Sequence, residues 1–255
     1  MIISTDAIVL RSMKYGETSK IVTLYSKKFG KIKVIAKGAR SAKSKFGASL
    51  EPMMHSSIIL YKKEQRDLHV LSKCELSTPF FKFDGNGDRL AVGLALVELV
   101  NLVMHDEEEN LPMFALLVKA LEAVDRASQN ILNIFFAFEL RLLEIFGYGL
   151  NLHDCMRCGR SVVENEEVNG VFLLLASGSV RCSDCHSALN AGGIKASKGI
   201  AQSLFQMQSL PLGSIDDLRL DLSKKDEILA LLQTYLKYHI AGVRTLKSLS
   251  LFTNV

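Results

Sequence analysis

Hydrophobic and polar positions follow two different periods along this chain, and the change falls between residues 80 and 90. Up to residue 80, short apolar and β-branched runs are separated by turn-forming segments, which is typical of β-strands. From residue 90 onward the apolar positions recur with helical spacing. The pattern predicts an α+β protein with a β-domain at 1–80 and an α-helical domain at 81–255.

The first domain is expected to contain five strands. In the third, Lys31, Lys33 and Lys37 alternate with apolar residues, so these lysines share the solvent-facing side. Five short strands in about 75 residues suit a small closed barrel, and the OB-fold is the commonest five-stranded kind. The predicted strands are 7–10, 21–25, 32–36, 56–61 and 68–71.

The helical domain begins with an unusually apolar segment. Residues 90–104 are apolar nearly all round, as in a helix buried in a bundle, but are too short to span a membrane. The acidic run 106–109 is expected to be solvated, because adjacent exposed carboxylates usually are. Ser223 is the expected N-cap of the last helix. Further helices are predicted at 111–127, 131–146, 197–208 and 226–239.

Four of the five cysteines form two Cys-x-x-Cys pairs, Cys155 with Cys158 and Cys182 with Cys185. Each pair places two thiolates on one tight turn, and two such turns complete a tetrahedral site. The 23 intervening residues are expected to fold as an excursion that returns to close the site. Four thiolates leave no open position for water, so the pattern predicts structural Zn²⁺ in a module at 151–190, inserted between helices.

Other uses of the cysteine pairs fit less well. A thioredoxin-type redox site needs one pair rather than two, and disulfides need an oxidising compartment. An iron–sulfur cluster stays open, although two matched pairs favour zinc. His153 and His186 flank the pairs and are expected to lie outside the metal's ligand set. The start of the chain lacks a signal-peptide pattern, so the expected location is the cytoplasm.

Charge is distributed unevenly along the chain. The formal net charge is +4, yet residues 1–80 contain 15 Lys and Arg against 6 Asp and Glu, whereas the remainder contains 16 against 21. This separation favours a polyanion as the partner of the first domain. Charge alone is equally compatible with a basic surface that is merely solvated.

The segment between the third and fourth predicted strands combines small residues with four cations. Such a loop can wrap phosphates, and Phe46, Tyr15, Tyr25 and Phe29 supply either stacking surfaces or barrel core. It is not a nucleotide-binding P-loop, because Ala42 stands where a glycine is required. The residues expected to contact DNA are Arg11, Lys33, Lys37, Arg40, Lys43 and Lys45.

Enzymatic sequence motifs are absent from the chain. It has no dinucleotide, Walker, nucleophile-elbow or zinc-protease motif, and no carboxylate cluster that would hold magnesium for a nuclease. The chain is therefore expected not to be an enzyme. Two functions remain: nucleic-acid binding, or a zinc-stapled interaction scaffold whose barrel docks an acidic protein and whose DNA affinity is incidental.

Taken in order, these features resemble the RecO family of bacterial recombination mediators over essentially the whole chain. The similarity rests on 7–11, 15–18, 21–24, on 36–40 with its basic continuation, and on 138–143. From there Gly147-Tyr148-Gly149 leads into the first cysteine pair. Residues 241–249 depart from the family's closing segment.

The resemblance implies an N-terminal OB-fold, a helical domain and a zinc-binding module. It also implies that the protein binds single- and double-stranded DNA and anneals complementary strands. Together with RecR, it would help to load RecA onto strands coated by single-stranded DNA-binding protein (SSB), whose C-terminal tail it contacts. RecF and RecA are implied as more indirect partners, in a cytoplasmic, nucleoid-associated setting without a membrane.

Overall fold

Two compact units make up the chain in the computed structural model, which describes residues 1–62, 66–78, 86–186 and 192–251. The first unit contains residues 1–126 together with 246–251 of the described tail, and the second contains 127–245. The domain boundary expected at residues 80 and 81, and the module end expected at residue 190, fall outside the described residues.

The first unit is built on a closed five-stranded, OB-like barrel, as the hydrophobic pattern predicts. Its strands follow the order β1-β2-β3-β5-β4, with β4 pairing back to β1. Neighbouring strands are antiparallel except for β3 and β5, which run parallel. The strands are β1 (Ile2–Tyr15), β2 (Ser19–Ser26), β3 (Gly30–Ala36), β4 (His55–Tyr61) and β5 (Leu68–Thr78).

Strand β1 is much longer than the predicted 7–10 because an irregularity between Val9 and Arg11 shifts its register. Residues 2–8 pair with β4 and residues 7–9 also pair with β2, whereas residues 11–15 pair with β2 alone. A bulge bends a strand, so β1 can leave β4 while it stays paired with β2. Residues 11–20, which are the end of β1, the turn and the start of β2, are here called the hairpin arm.

Strand β3 shows the predicted alternation. Ile32, Val34 and Ala36 are buried in the barrel core, Lys31 is half-buried and Lys33 is exposed. The side chains of Lys31 and Lys33 thus lie on the outer face of the strand, where other parts of the first unit can reach them.

The acidic run after the first helix does not behave as predicted. It connects α1 (Gly87–Val103) to α2 (Leu111–Arg126), and instead of being merely solvated it packs on the barrel. The backbone N–H of Glu107 donates to the carbonyl oxygen of Lys31 at 2.8 Å. Gly30 permits this approach, since its φ is +60° and a Cβ there would lie 1.8 Å from the carbonyl oxygen of Glu108.

The second unit combines helices with a small four-stranded sheet of order β6-β8-β7-β9. Helix α3 (Leu132–Ile145) packs against α4 (Lys198–Ser209) and α5 (Leu222–His239), which confirms the predicted helical segments. The strands are β6 (Asn151–Cys155), β7 (Gly170–Leu173), β8 (Ser179–Cys182) and β9 (Ile194–Ser197).

The start of α5 differs from the prediction. Its N-cap is Asp221, whose Oδ1 accepts the backbone N–H of Lys224 at 2.8 Å. Ser223 instead lies inside the first turn, because the helix begins four residues before the predicted start. An aspartate at this position satisfies a free N–H and complements the positive end of the helix.

The polar residues of α3 have very different surroundings. The Arg141 guanidinium donates to the carbonyl oxygens of Ala137 at 2.9 Å and Met207 at 3.1 Å, and to that of Leu210. Glu139 is fully buried, and neither carboxyl oxygen has a hydrogen-bond partner in the described structure. Burial raises the pKa of Glu139 to about 8. No helix among the described residues is long and apolar enough to cross a bilayer.

Candidate metal centre and nucleic-acid interface

The two cysteine pairs converge on one point of the second unit. The four Sγ atoms lie within 4.8 Å of one another, and those of Cys158 and Cys182 are 3.9 Å apart. Four sulfurs placed about 2.3 Å from a tetrahedral zinc ion would be separated by about 3.8 Å. The described sulfurs therefore have the spacing and the chemistry of a four-thiolate metal site.

The small sheet positions the four sulfurs. Cys155 ends β6 and Cys182 ends β8, and these strands are parallel neighbours, so both cysteines lie at the same end of the sheet. The excursion predicted between the pairs contains β7 and β8, which form an antiparallel hairpin. Gly159 closes the first turn with φ +72° and donates its N–H to the Cys155 carbonyl at 2.8 Å.

Thiol ionisation in the cluster is uneven. Burial raises the pKa of Cys155, but backbone N–H groups, beginning with that of Cys158, outweigh burial and bring the pKa to about 6. The neighbouring sulfurs of Cys158 and Cys182 raise the pKa of Cys185 to about 12. Four thiolates this close repel one another, and a divalent cation among them relieves that repulsion.

The two flanking histidines lie outside the group of sulfur ligands, as expected. The ring of His186 stacks on Phe172 with 3.6 Å between centroids and 6° between planes. His153 Nδ1 lies 2.8 Å from Oδ1 of Asp154. Each ring is thus engaged by a neighbour within the module.

The six residues expected to contact DNA all lie in the first unit, and all six are exposed. Arg11 lies on the hairpin arm, Lys33 lies on β3, and the others lie in the segment 37–46, here called the basic loop. Arg40 ties the loop to the arm, since its guanidinium donates to the Gly16 carbonyl at 3.0 Å and its backbone N–H to the Thr18 carbonyl at 2.8 Å.

Lys33 differs from the other five. Its Nζ lies 3.0 Å from Oδ2 of Asp106, so it already has a carboxylate partner. Within the described residues none of the other five has such an ion pair; Lys45 Nζ instead lies 5.4 Å from the centroid of the Phe46 ring. The hairpin arm and the basic loop therefore present one cationic surface whose positive charge is largely uncompensated.

Aromatic residues near this surface separate into core and exterior. Phe46 is buried in the barrel core, whereas Tyr25 is buried outside it, with its ring centroid 6.3 Å from that of Phe114. Phe29 is half-buried, with Lys62 Nζ 4.7 Å from its ring centroid. Tyr15, at the end of β1, is 52% exposed and is the candidate for stacking on a base.

Lys14 was missed by the sequence reasoning. It lies exposed on the hairpin arm and pairs across the strands with Lys20. The predicted first strand ended at residue 10, which left Lys14 in a turn. The alternation of polar and apolar positions is interrupted at Arg11 and Ser12, so the sequence pattern carried no clear signal that the strand continues past the bulge.

Comparison with known proteins decides the family. The family model for "Recombination protein O N terminal" matches residues 1–80, and that for "Recombination protein O C terminal" matches 85–250. The chain belongs to the RecO family. The resemblance inferred from the sequence is thereby confirmed, and with it a non-enzymatic role in DNA repair and recombination.

Curated members of the RecO family align with this chain, some of them over its full length. The DNA repair protein RecO of Chloroherpeton thalassium is 28% identical over 257 residues, covering 100% of this chain and 99% of that protein. That of Alkaliphilus metalliredigens is 29% identical and covers 95% and 96%. That of Salinibacter ruber is 41% identical over 146 residues, covering 57% and 56%.

Proposed function

We propose that this RecO family member binds single- and double-stranded DNA through its barrel and anneals complementary strands. With RecR it helps to load RecA onto single strands coated by SSB, whose C-terminal tail it contacts, and RecF joins indirectly. This work is done in the cytoplasm, at the nucleoid. The observation that carries the proposal is the uncompensated cationic surface formed by the hairpin arm and the basic loop.

Annealing by such a surface needs no reacting group. Lysine and arginine side chains bind phosphates and release counterions, so the affinity depends steeply on salt and little on base sequence. Two strands held on one cationic surface repel each other less. Their bases can then find register while the phosphates remain bound.

We infer that the four-cysteine cluster holds Zn²⁺. Two matched Cys-x-x-Cys pairs with four sulfurs around one point support this ion, and a fully sulfur-ligated site leaves no position for a substrate. Cys155, Cys158, Cys182 and Cys185 would supply the ligands. The ion then stabilises the sheet β6–β9 and takes no part in DNA chemistry.

Replacing Lys37, Arg40 and Lys43 together by alanine is expected to weaken binding of a single-stranded oligonucleotide by roughly 100-fold at about 0.1 M salt. Three lost phosphate contacts should also reduce the slope of log affinity against log salt by about 2. Fluorescence anisotropy with a labelled oligonucleotide at several salt concentrations measures both quantities.

The matched control removes three cations elsewhere on the barrel, by replacing Lys27, Lys28 and Lys73 with alanine. These residues are exposed, Lys28 donates to the Ser4 carbonyl, and Lys73 is already paired with Glu75. A small effect is expected from this variant. Equal losses in the two variants, or an unchanged affinity and slope in the first, would show that the basic loop is not the DNA contact.

A further inference from the structure

A second group of barrel side chains converges on the acidic segment that follows α1. Lys31 Nζ lies 3.2 Å from Oδ1 of Asp106 and also donates to the Asn101 carbonyl at 3.1 Å. Lys33 Nζ lies 3.0 Å from the other oxygen of the same carboxylate. One carboxylate thus bridges two neighbouring lysines of β3.

Glu107 makes the corresponding contacts beside it. One of its carboxyl oxygens accepts from Lys62, and the other lies 3.2 Å from Nε2 of His69. The first of these side-chain hydrogen bonds is the largest influence on the carboxyl, and it holds the pKa of Glu107 below its usual range. Lys31, Lys33, Lys62 and His69 are called the barrel cation cluster below.

The cluster is arranged to hold an anion. The side chain of Lys31 is only 14% exposed, that of Lys62 is 21% and that of His69 is 1%, whereas that of Lys33 is 46% exposed. The carboxylates above them are 51% and 42% exposed. Partly buried donors with few waters of their own need an anionic acceptor, whereas half-exposed carboxylates can return to water at little cost.

The carboxylates can leave without the chain moving. The backbone of the segment is fixed by the N–H of Glu107 on the Lys31 carbonyl and by the close packing of Glu108 on Gly30. Rotation of the Asp106 and Glu107 side chains is therefore sufficient to open the cluster. Lys33 is also four residues before Lys37, about 13 Å along an extended strand, so the cluster continues the surface that ends in the basic loop.

We propose that the barrel cation cluster is a second phosphate-binding site, which Asp106 and Glu107 occupy until the phosphates of a nucleic-acid strand replace their carboxylates. The inference rests on the proposed function, since it extends the DNA surface of the same barrel. The ligand is a phosphodiester backbone of any base sequence. The acidic residues set how much of the barrel a strand covers at a given salt concentration.

The test compares two double variants that remove the same charge from one short segment. Asp106→Asn with Glu107→Gln frees the cluster, whereas Glu108→Gln with Glu109→Gln changes exposed carboxylates that have no ion pair in the described structure. The first variant is expected to bind a single-stranded oligonucleotide about tenfold more tightly at about 0.1 M salt. Its salt slope should steepen by about 1.4, as expected for two added phosphate contacts.

The control variant should bind the oligonucleotide less than about threefold more tightly than the unaltered protein, with an unchanged salt slope. Among the described residues, the carboxylates that it removes pair with no lysine of the cluster, and salt screens their effect on the bound strand. Adding Lys33→Ala to the freed variant should remove much of its gain, and should cost more affinity there than in the unaltered protein, where Asp106 already pairs with Lys33. Circular dichroism establishes that each variant is folded. Equal gains in the two double variants, or a gain that Lys33→Ala leaves intact, would overturn the inference.

The same experiment separates this inference from the proposed function. If the unaltered protein binds the oligonucleotide and loses it when Lys37, Arg40 and Lys43 are replaced, but the two double variants behave alike, only the second site is wrong. If no variant binds the oligonucleotide, DNA binding by the barrel is wrong as well.

Discussion

Chelation of the Zn²⁺ that we propose for the four-cysteine cluster should unfold the sheet β6–β9 and leave the barrel folded. The strands of this sheet are only four or five residues long, so the cluster is the main constraint on their ends. Structural zinc sites of this type contribute on the order of 10 kcal/mol to folding. The barrel has its own core, in which Val22, Leu24 and Val34 are fully or almost fully buried.

Hydrogen exchange measured by mass spectrometry, with and without a strong chelator, reads both regions at once. Residues 151–186 and 192–197 should lose protection while strands β1–β3 keep theirs, and Cys158→Ser with Cys185→Ser should reproduce the effect. Cys74→Ala is the matched control, because this buried cysteine lies in the barrel and outside the cluster. Loss of protection throughout the chain on chelation would contradict two separately stabilised regions.

Replacing Glu139 by glutamine should abolish a pH dependence of stability that the unaltered protein shows between about pH 4.5 and about 8. Burial raises the pKa of this carboxyl to about 8, from the 4.5 that is usual for a glutamate in water. In that interval the unfolded chain releases a proton that the folded chain retains, so the free energy of unfolding falls as the pH rises. The full difference, reached above pH 8, corresponds to roughly 5 kcal/mol.

Urea unfolding followed by hydrogen exchange of the α3 amides measures this stability locally. The gain from Glu139→Gln should be absent near pH 4.5 and should grow steadily towards pH 8. Glu144→Gln is the control on the same helix, because Glu144 is exposed. If Glu139→Gln, like Glu144→Gln, kept the dependence of the unfolding free energy on pH that the unaltered protein shows, the prediction would be wrong. Glu139 would then be ionised in the folded state or paired with a group that offsets its burial.

Period and spacing in the sequence were sufficient to predict the barrel and the clustering of the four cysteines. Alternation along β3 follows from the two-residue period of any strand, and the structure buries Ile32 and Val34 accordingly. The convergence of the four cysteines follows from ligand chemistry, because two Cys-x-x-Cys turns with an intervening hairpin are a sufficient constraint. Both inferences depend on local pattern alone.

Contacts between distant segments could not be predicted in this way. Asp106 pairs with Lys31 and Lys33, which are more than seventy residues away in the sequence. The hydrogen bond from Lys31 to the Asn101 carbonyl spans 70 residues. Which loop packs on which strand is decided by tertiary structure. Strand β9 was missed for a related reason, because its four residues become a strand only by pairing with β7.

The bulge in β1 explains the remaining error in the candidate DNA surface. Strand β1 loses β4 as a partner after Ile8 but stays paired with β2 as far as Tyr15, and this extension places Lys14 and Tyr15 on the hairpin arm. The alternation of polar and apolar residues is interrupted at such a bulge, so the sequence pattern indicates the end of the strand too early. The contribution of Arg11, Lys33, Lys37, Arg40, Lys43 and Lys45 to DNA binding stays a prediction.

The central claim is that this protein anneals complementary DNA strands and helps to load RecA onto single strands coated by SSB. Annealing of two complementary oligonucleotides tests it most directly. The strands are used either naked or coated with SSB, and their pairing is followed with and without the protein, in the absence of ATP. We expect acceleration that fades as salt rises and that is lost when Lys37, Arg40 and Lys43 are replaced by alanine. No acceleration of either coated or naked strands would contradict the account, and would favour a scaffold whose barrel docks an acidic protein.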